Sequence, residues 1–271
     1  MQKYFLTATC LFPLMLPAQH IRMEFPHLRG KTFEFIVFQG DRPVVMQDTI
    51  PADGKFTLAV PQEYRPYTGM SRWLITNTME GGGLDMVIPG KDFSVSCTDL
   101  QPSDSSILYT NNPEPNNLNR FYAEQQGILQ KYFALDQVIK AYPKTDKAYA
   151  FFSKESAAQV KEYEAFQKRI AKEAPYVAQF MAIVNITLGI SPRLAFDEKE
   201  KASNTAAYIA SQLDWEVLYT SGHWGGVINA WTDIHTQVLQ DTARMDKEYQ
   251  AISDKLRPEL QKEFREKVGR Q

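Results

Sequence analysis

The stretch Pro102-Ser103-Asp104, followed by Asn111-Asn112-Pro113-Glu114-Pro115-Asn116, divides two halves with different hydrophobic periods. Proline, serine, aspartate and asparagine cluster here as turn formers, so residues 101–117 are expected to form a linker that ends by starting a helix.

On the N-terminal side the pattern has a period of two. Ile21 to Phe25, Thr32 to Phe38, Val44 to Ile50 and Phe56 to Val60 read as strands. Arg72 to Met79, Leu84 to Ile88 and Phe93 to Cys97 follow, separated by Gly81-Gly82-Gly83 and Pro89-Gly90. Pro51-Ala52-Asp53-Gly54 reads as a hairpin turn. Seven short strands between turn residues predict an antiparallel β-sandwich over residues 20–100.

On the C-terminal side apolar residues recur at three- and four-residue steps. Leu118, Phe121, Tyr122, Leu129, Tyr132, Phe133 and Ile139 mark one helical face, which Pro143 ends. Thr145 or Asp146 should cap a second long helix reaching Lys172, and Pro175 should open a third, strongly apolar one reaching Gly189. Shorter helices are expected near Lys199–Leu213 and Val227–Leu239. The expected fold class is therefore α+β, with an all-α domain over residues 118–240 after the sandwich. Residues 241–271 read as a charged helical tail with few apolar anchors, its last turns frayed.

Residues 1–19 are expected to be a secretory signal peptide. Lys3 supplies positive charge, Tyr4 to Leu16 is almost wholly apolar, and Ala18-Gln19 offers a small residue for cleavage. The apolar run is too short to span a bilayer. Thr9 precedes Cys10 where a lipid-anchor signal wants a smaller residue, so anchoring at Cys10 is not expected. The expected localisation is periplasmic or secreted, with no transmembrane segment. The net charge of −2 provides no global field to draw nucleic acid or an anionic membrane.

The chemistry-bearing residues are sparse. Cleavage would remove Cys10 and leave Cys97, on the apolar face of Phe93-Ser94-Val95-Ser96-Cys97, as a buried thiol without a disulfide partner. No catalytic residue, metal ligand or cofactor motif is expected. Twelve residues separate His223 from His235, which is no metal spacing. Gly81-Gly82-Gly83 lacks the lysine and hydroxyl of a phosphate loop. Asn185-Ile186-Thr187 fits a glycosylation sequon but lies inside an apolar helix. Around the Gly222 turn, Trp215, Tyr219, His223, Trp224, Trp231 and His235 concentrate rings and imidazoles. They read as helix-packing anchors. The sharper reading makes them a groove for a partner or small ligand, with His223 or His235 the residue to test against haem.

The stretch Asp48-Thr49-Ile50-Pro51-Ala52-Asp53-Gly54-Lys55-Phe56-Thr57 resembles the hairpin of a β domain of unknown function. That domain commonly begins secreted TlpA/ResA-like thiol–disulfide proteins of Bacteroidetes-type bacteria. Gly83 to Val95 is similar to its closing strands, and Leu218-Tyr219-Thr220-Ser221-Gly222-His223-Trp224 to the helical insert that follows. The family carries its Cys-x-x-Cys in a later thioredoxin fold, often labelled alkyl hydroperoxide reductase-like. This sequence holds no such motif, so no catalytic residue carries over. The resemblance implies a non-catalytic envelope accessory or partner-binding protein, with a thioredoxin-like chain as a possible partner. The alternative is a truncated or split oxidoreductase.

Overall fold

A computed structural model describes residues 19–79, 81–103 and 105–269. Met1 to Ala18 of the expected signal peptide, with Cys10, lies outside the described residues.

The chain is α+β. Among the described residues eight strands come first: β1 (His20–Glu24), β2 (Thr32–Val37), β3 (Val44–Thr49), β4 (Lys55–Ala59), β5 (Thr68–Thr76), β6 (Gly83–Pro89), β7 (Phe93–Ser96) and β8 (Leu108–Thr110). They form two four-stranded sheets, ordered β4-β1-β7-β8 and β3-β2-β5-β6. Both sheets contribute to one apolar cluster: Ile21, Met23, Phe93 and Val95 from the first, Phe33, Phe35, Trp73 and Ile88 from the second. Trp73 is central, with the rings of Phe25 and Phe56 at 4.9 and 5.8 Å. Period-two alternation puts Phe33, Phe35 and Val37 inward, while Glu34 faces out to bond Gln47 on β3.

Three expectations for this half are corrected. The sheets are not wholly antiparallel, because β1 and β7 pair in parallel, Ile21 opposite Phe93. Between them the chain crosses to the other sheet twice, returning first as β4, antiparallel to β1, and then as β7 in the direction of β1, so a long connection joins the parallel pair. The turn at Pro51 to Gly54 is present, closed by Gly54 N–H to the Pro51 carbonyl at 2.9 Å. It is not a hairpin, however: β3 pairs with β2 and β4 with β1, so the turn switches sheets. Gly54 is needed there, since its φ is +72° and a Cβ would stand 2.5 Å from the Pro26 Cα. Finally, the expected linker contains β8, paired antiparallel to β7.

Eight α-helices follow among the described residues: α1 (Glu114–Lys140), α2 (Lys147–Glu173), α3 (Pro175–Thr187), α4 (Glu198–Ser211), α5 (Trp215–Tyr219), α6 (Trp224–Asp233), α7 (Thr242–Ser253) and α8 (Pro258–Val268). Asp146, Asp197, Asp214 and Asp241 cap α2, α4, α5 and α7 by accepting from backbone N–H groups of the first turn. Past Asp233, α6 continues as a π-helical segment, Ile234–Leu239, ended by Gln240 with φ +51°. The expected sparsely anchored tail is corrected. On α7, α8 and the loop between them, Ile252, Leu256, Leu260 and Phe264 are buried in the same cluster as Trp224 and Trp231. These four are spaced by four residues, a stripe that the surrounding charges obscure. No helix among the described residues is long and apolar enough to cross a membrane.

Candidate functional site

The segment Leu218 to Trp224 joins the two halves. Its backbone meets the end of the second sheet. Gly40 N–H donates to the Tyr219 carbonyl at 2.8 Å, and Met70 N–H to the Thr220 carbonyl at 2.9 Å. The Thr220 hydroxyl donates to the Thr68 carbonyl at 2.9 Å. Close backbone approach depends on glycine: a Cβ on Gly69 would stand 2.5 Å from the Thr220 Cβ, and one on Gly222 would stand 3.1 Å from the Phe38 ring. On the other side of the seam Met70 and Val87 pack against Phe180 of α3.

The residues singled out in the sequence are distributed on and behind this seam. Trp215, Trp224 and Trp231 are buried together, with Trp224 at 1 % and Trp231 at 0 % exposure. The Trp215 and Trp224 rings meet edge to face at 5.7 Å. Tyr219 meets Trp224 at 5.5 Å and donates its hydroxyl to Glu263 at 3.2 Å. Burial, with the Glu263 carboxylate beside it, pushes that hydroxyl's pKa up to about 12. His223 is half-buried, its ring 5.9 Å from that of Phe180. Burial and the Arg72 guanidinium hold its pKa below the usual histidine value. A partner at the surface would therefore meet His223 and the edge of Tyr219 before any of the tryptophans.

His235 lies deeper, on the π-helical segment. Its Nε2–H donates to Glu248 Oε2 at 2.9 Å, and Arg244 Nε donates to Glu248 Oε1 at 2.7 Å. Arg244 also reaches the Ser203 hydroxyl and carbonyl at 2.9 and 3.0 Å. Glu248 thus ties α7 to the π segment through His235, while Arg244, held by Glu248, ties α7 to α4. Its Nδ1 is buried without a hydrogen-bond partner.

A different place has the form of a binding site. A cleft of about 570 Å³ opens between α2, α3 and α4, within the size range of small-ligand pockets. Six amide side chains line it: Gln125, Gln167, Gln179, Asn185, Asn204 and Gln212. Its apolar floor includes Ile170, Met181 and Ala182. At the back, Gln125 and Asn185 exchange two hydrogen bonds, at 3.0 and 2.9 Å, and Asn185 also donates to the Tyr163 hydroxyl at 3.2 Å. This buried network is closed on itself and fixes the wall. Asn204 Nδ2 is buried and has no partner. Glu164 and Arg193 pair at 3.6 Å on the lining. Burial raises the pKa of Tyr208, also on the lining, and keeps its hydroxyl neutral.

Of these amides only Asn185 was singled out in the sequence, as part of a sequon and not as a lining group. The signal available was a polar residue inside an apolar stripe. Gln125 stands between Phe121 and Leu129 at four-residue steps, and Asn185 follows Met181 in the same way. Among the described residues no group of three or more His, Cys, Asp or Glu side chains could hold a metal ion. Cys97 is a free, buried thiol, 3.4 Å from the Ser106 hydroxyl. No family model matches the chain, and neither the curated proteins nor the solved structures provide a match.

Proposed function

We propose that this chain is a non-catalytic accessory protein of the cell envelope that binds a neutral, polar ligand or a partner's polar side chains in its helical cleft. The single observation that carries the binding reading is the amide lining. Asn and Gln side chains each donate and accept hydrogen bonds but neither titrate nor attack, which suits recognition of uncharged groups. The unpartnered Asn204 Nδ2 favours a ligand acceptor, because a buried donor left unpaired costs about 1–3 kcal/mol.

The envelope location rests on the apolar N-terminal stretch and on the TlpA/ResA-like resemblance described above. In this reading the two sheets form a sandwich that serves as a rigid mount, with the seam at Thr220 holding the cleft-bearing helices to it. A thioredoxin-like chain is the envelope partner the resemblance favours.

A thermal-shift screen of the full chain against neutral saccharides and dipeptides, with ionic metabolites alongside, tests the binding reading. A ligand at a hundred times its dissociation constant stabilises by about 2.7 kcal/mol, easily read as a rise in Tm. The neutral compounds should raise Tm in the parent chain, and Asn204→Leu should lose the rise. Shifts confined to ionic compounds, or equal shifts in the variant, would exclude the cleft as the site.

A further inference from the structure

Strand β6 is an edge of the second sheet, bonded to β5 on one side only. The direction of its peptide groups follows from β5. The Met70 N–H donates to the Thr220 carbonyl, and the Met70 carbonyl accepts from the Tyr67 hydroxyl at 2.6 Å. Met70 therefore turns its peptide groups away from β6. Val87, opposite Met70, turns its own away from β5, and Asp85 and Gly83 do the same at two-residue steps. The Ile75 N–H bond to the Gly82 carbonyl, at 2.9 Å, sets the same phase at the other end. Asn112 Nδ2 donates to the outward Val87 carbonyl at 2.7 Å. Gly83 and Asp85 are exposed, and no hydrogen bond among the described residues reaches their outward N–H and carbonyl groups.

This edge opens into a groove of about 350 Å³, lined by β6, by β8 with residues just before it, and by the first turn of α1. Three of the lining residues, Leu84, Ile107 and Tyr109, are partly buried against the apolar cluster that the two sheets share. Asp85, next to Leu84 on the strand, points to the opposite face of the sheet. An extended residue in a sheet occupies roughly 160 Å³, from a strand spacing of about 4.8 Å, a rise of about 3.4 Å and a depth of about 10 Å. The groove thus holds about two residues of extended chain, comparable with the open stretch Gly83 to Asp85. Edge strands are commonly blunted by charge. Here Asp85 is the only charge on β6, and the Arg72 guanidinium holds it through two bonds, at 2.7 and 2.9 Å. Gly83 has no side chain to bar a neighbouring backbone.

We infer that β6 receives an extended segment of a partner polypeptide by strand addition, its peptide groups paired with Gly83 and Asp85 and its alternate, apolar side chains laid on Leu84 and Ile107. Complementarity of partial charge identifies the occupant. Donors and acceptors that repeat at every second residue are matched by another extended backbone, and the alternating pockets select its side chains. Asn112 already gives the Val87 carbonyl the amide donor that such a strand would give its neighbours. A second copy of this chain fits less well, because its β6 would arrive with its own β8 and α1, the elements that line this same groove. The groove shares no lining residue with the amide cleft, so the two sites stand or fall separately.

Titration of the full chain with a short synthetic peptide tests this. The peptide alternates valine and threonine, with a lysine at each end for solubility. Its control is the same peptide N-methylated at every valine and threonine, which keeps the side chains and charge but removes the backbone donors. The parent chain should bind the first peptide at least about tenfold more tightly than the second. On saturation the Gly83 and Asp85 amides should slow in hydrogen exchange, while those of Leu84 and Met86, already bonded to β5, should hold their rates. Asp85→Pro removes one outward donor at an edge position where proline is tolerated, and should weaken binding about tenfold. Asp85→Asn keeps the backbone and should bind as the parent does, as should Asn204→Leu in the cleft. The methylated control and the exchange rates carry the test in the parent chain even if Asp85→Pro does not fold. Equal binding of the two peptides, binding of neither, or unchanged Gly83 and Asp85 exchange would overturn the proposal. Self-association of the parent chain that Asp85→Pro abolishes would overturn it in favour of a second copy.

Discussion

The Gln19 side chain closes a two-way bond with the Tyr67 backbone. Its Nε2 donates to the Tyr67 carbonyl at 2.8 Å, and its Oε1 accepts the Tyr67 N–H at 2.9 Å. Both partners are buried, so truncation strands two backbone groups rather than one contact. Gln19→Ala should destabilise the fold by about 2 kcal/mol, read as a lower urea midpoint at unchanged slope. Gln19→Glu should be nearly as costly, because a carboxylate cannot donate to the carbonyl. His223 supplies a pH dependence of known sign. Its pKa is held below the ordinary 6.5 by burial first and then by Arg72, against a smaller opposing pull from Asp85. The unfolded chain therefore takes up the proton before the folded one does. The stability this histidine contributes is complete above about pH 6.5 and is lost as pH falls toward the folded-state pKa. His223→Gln should flatten that part of the stability–pH curve, measured by denaturant unfolding between pH 7 and pH 5. An unchanged curve would place the acid-side loss on other groups.

At the scale of elements, the π-helical turn and its clamp are the feature with the most concentrated chemistry. A π turn inserts one extra residue, and here it swings His235 onto the Glu248 carboxylate that Arg244 already holds. Glu248→Ala removes the acceptor from both and leaves the fully buried His235 ring without its bond. The expected loss is about 2–3 kcal/mol, larger than an exposed pair would give. Ser203→Ala, which leaves Arg244 its bonds to Glu248 and to the Ser203 carbonyl, should cost about 1 kcal/mol or less. Equal losses from the two variants would mean that Glu248 is not the hub. The elements themselves differ in how far they could be read. Helices α1 to α4 were legible because prolines and aspartates mark their starts and apolar stripes run along them. Sheet membership was not legible. The Asp53-Gly54 turn has the same local chemistry whether the next strand pairs back or crosses to the other sheet. That choice is made by which face meets Trp73. The amide cleft was illegible for a related reason: Gln125, Asn185 and Asn204 lie on three helices, and only packing brings them together. The tail was misread because charge outnumbers apolar residues there, although Ile252, Leu256, Leu260 and Phe264 repeat every fourth position.

Over the whole molecule, the same seam that buries the Trp-rich segment decides whether the two halves behave as one body. Each half has its own apolar cluster, so each could in principle open alone. What joins them is short-range: backbone bonds at Tyr219 and Thr220, the Met70–Val87–Phe180 contact, and the Asp41–Lys267 pair at 3.0 Å. The ion pair is partly exposed and contributes little. The backbone bonds require close approach, and Gly69 permits it. Gly69→Val would drive a branched side chain into Thr220 and the Tyr67 ring, where overpacking costs about 1–3 kcal/mol or forces the seam apart. Hydrogen exchange read separately for β2 and β5, and for α6 and α8, distinguishes these outcomes. In the parent chain the slowest amides of both halves should report one common opening free energy, as a single cooperative unit does. In Gly69→Val the two values should separate, with the less stable half exchanging first. A common value that falls equally in both halves would show that the valine strains the fold without releasing the seam. Two different values already in the parent chain would mean that the Thr220 contacts never coupled the halves, and that the cleft-bearing helices are held to the sheets by position alone.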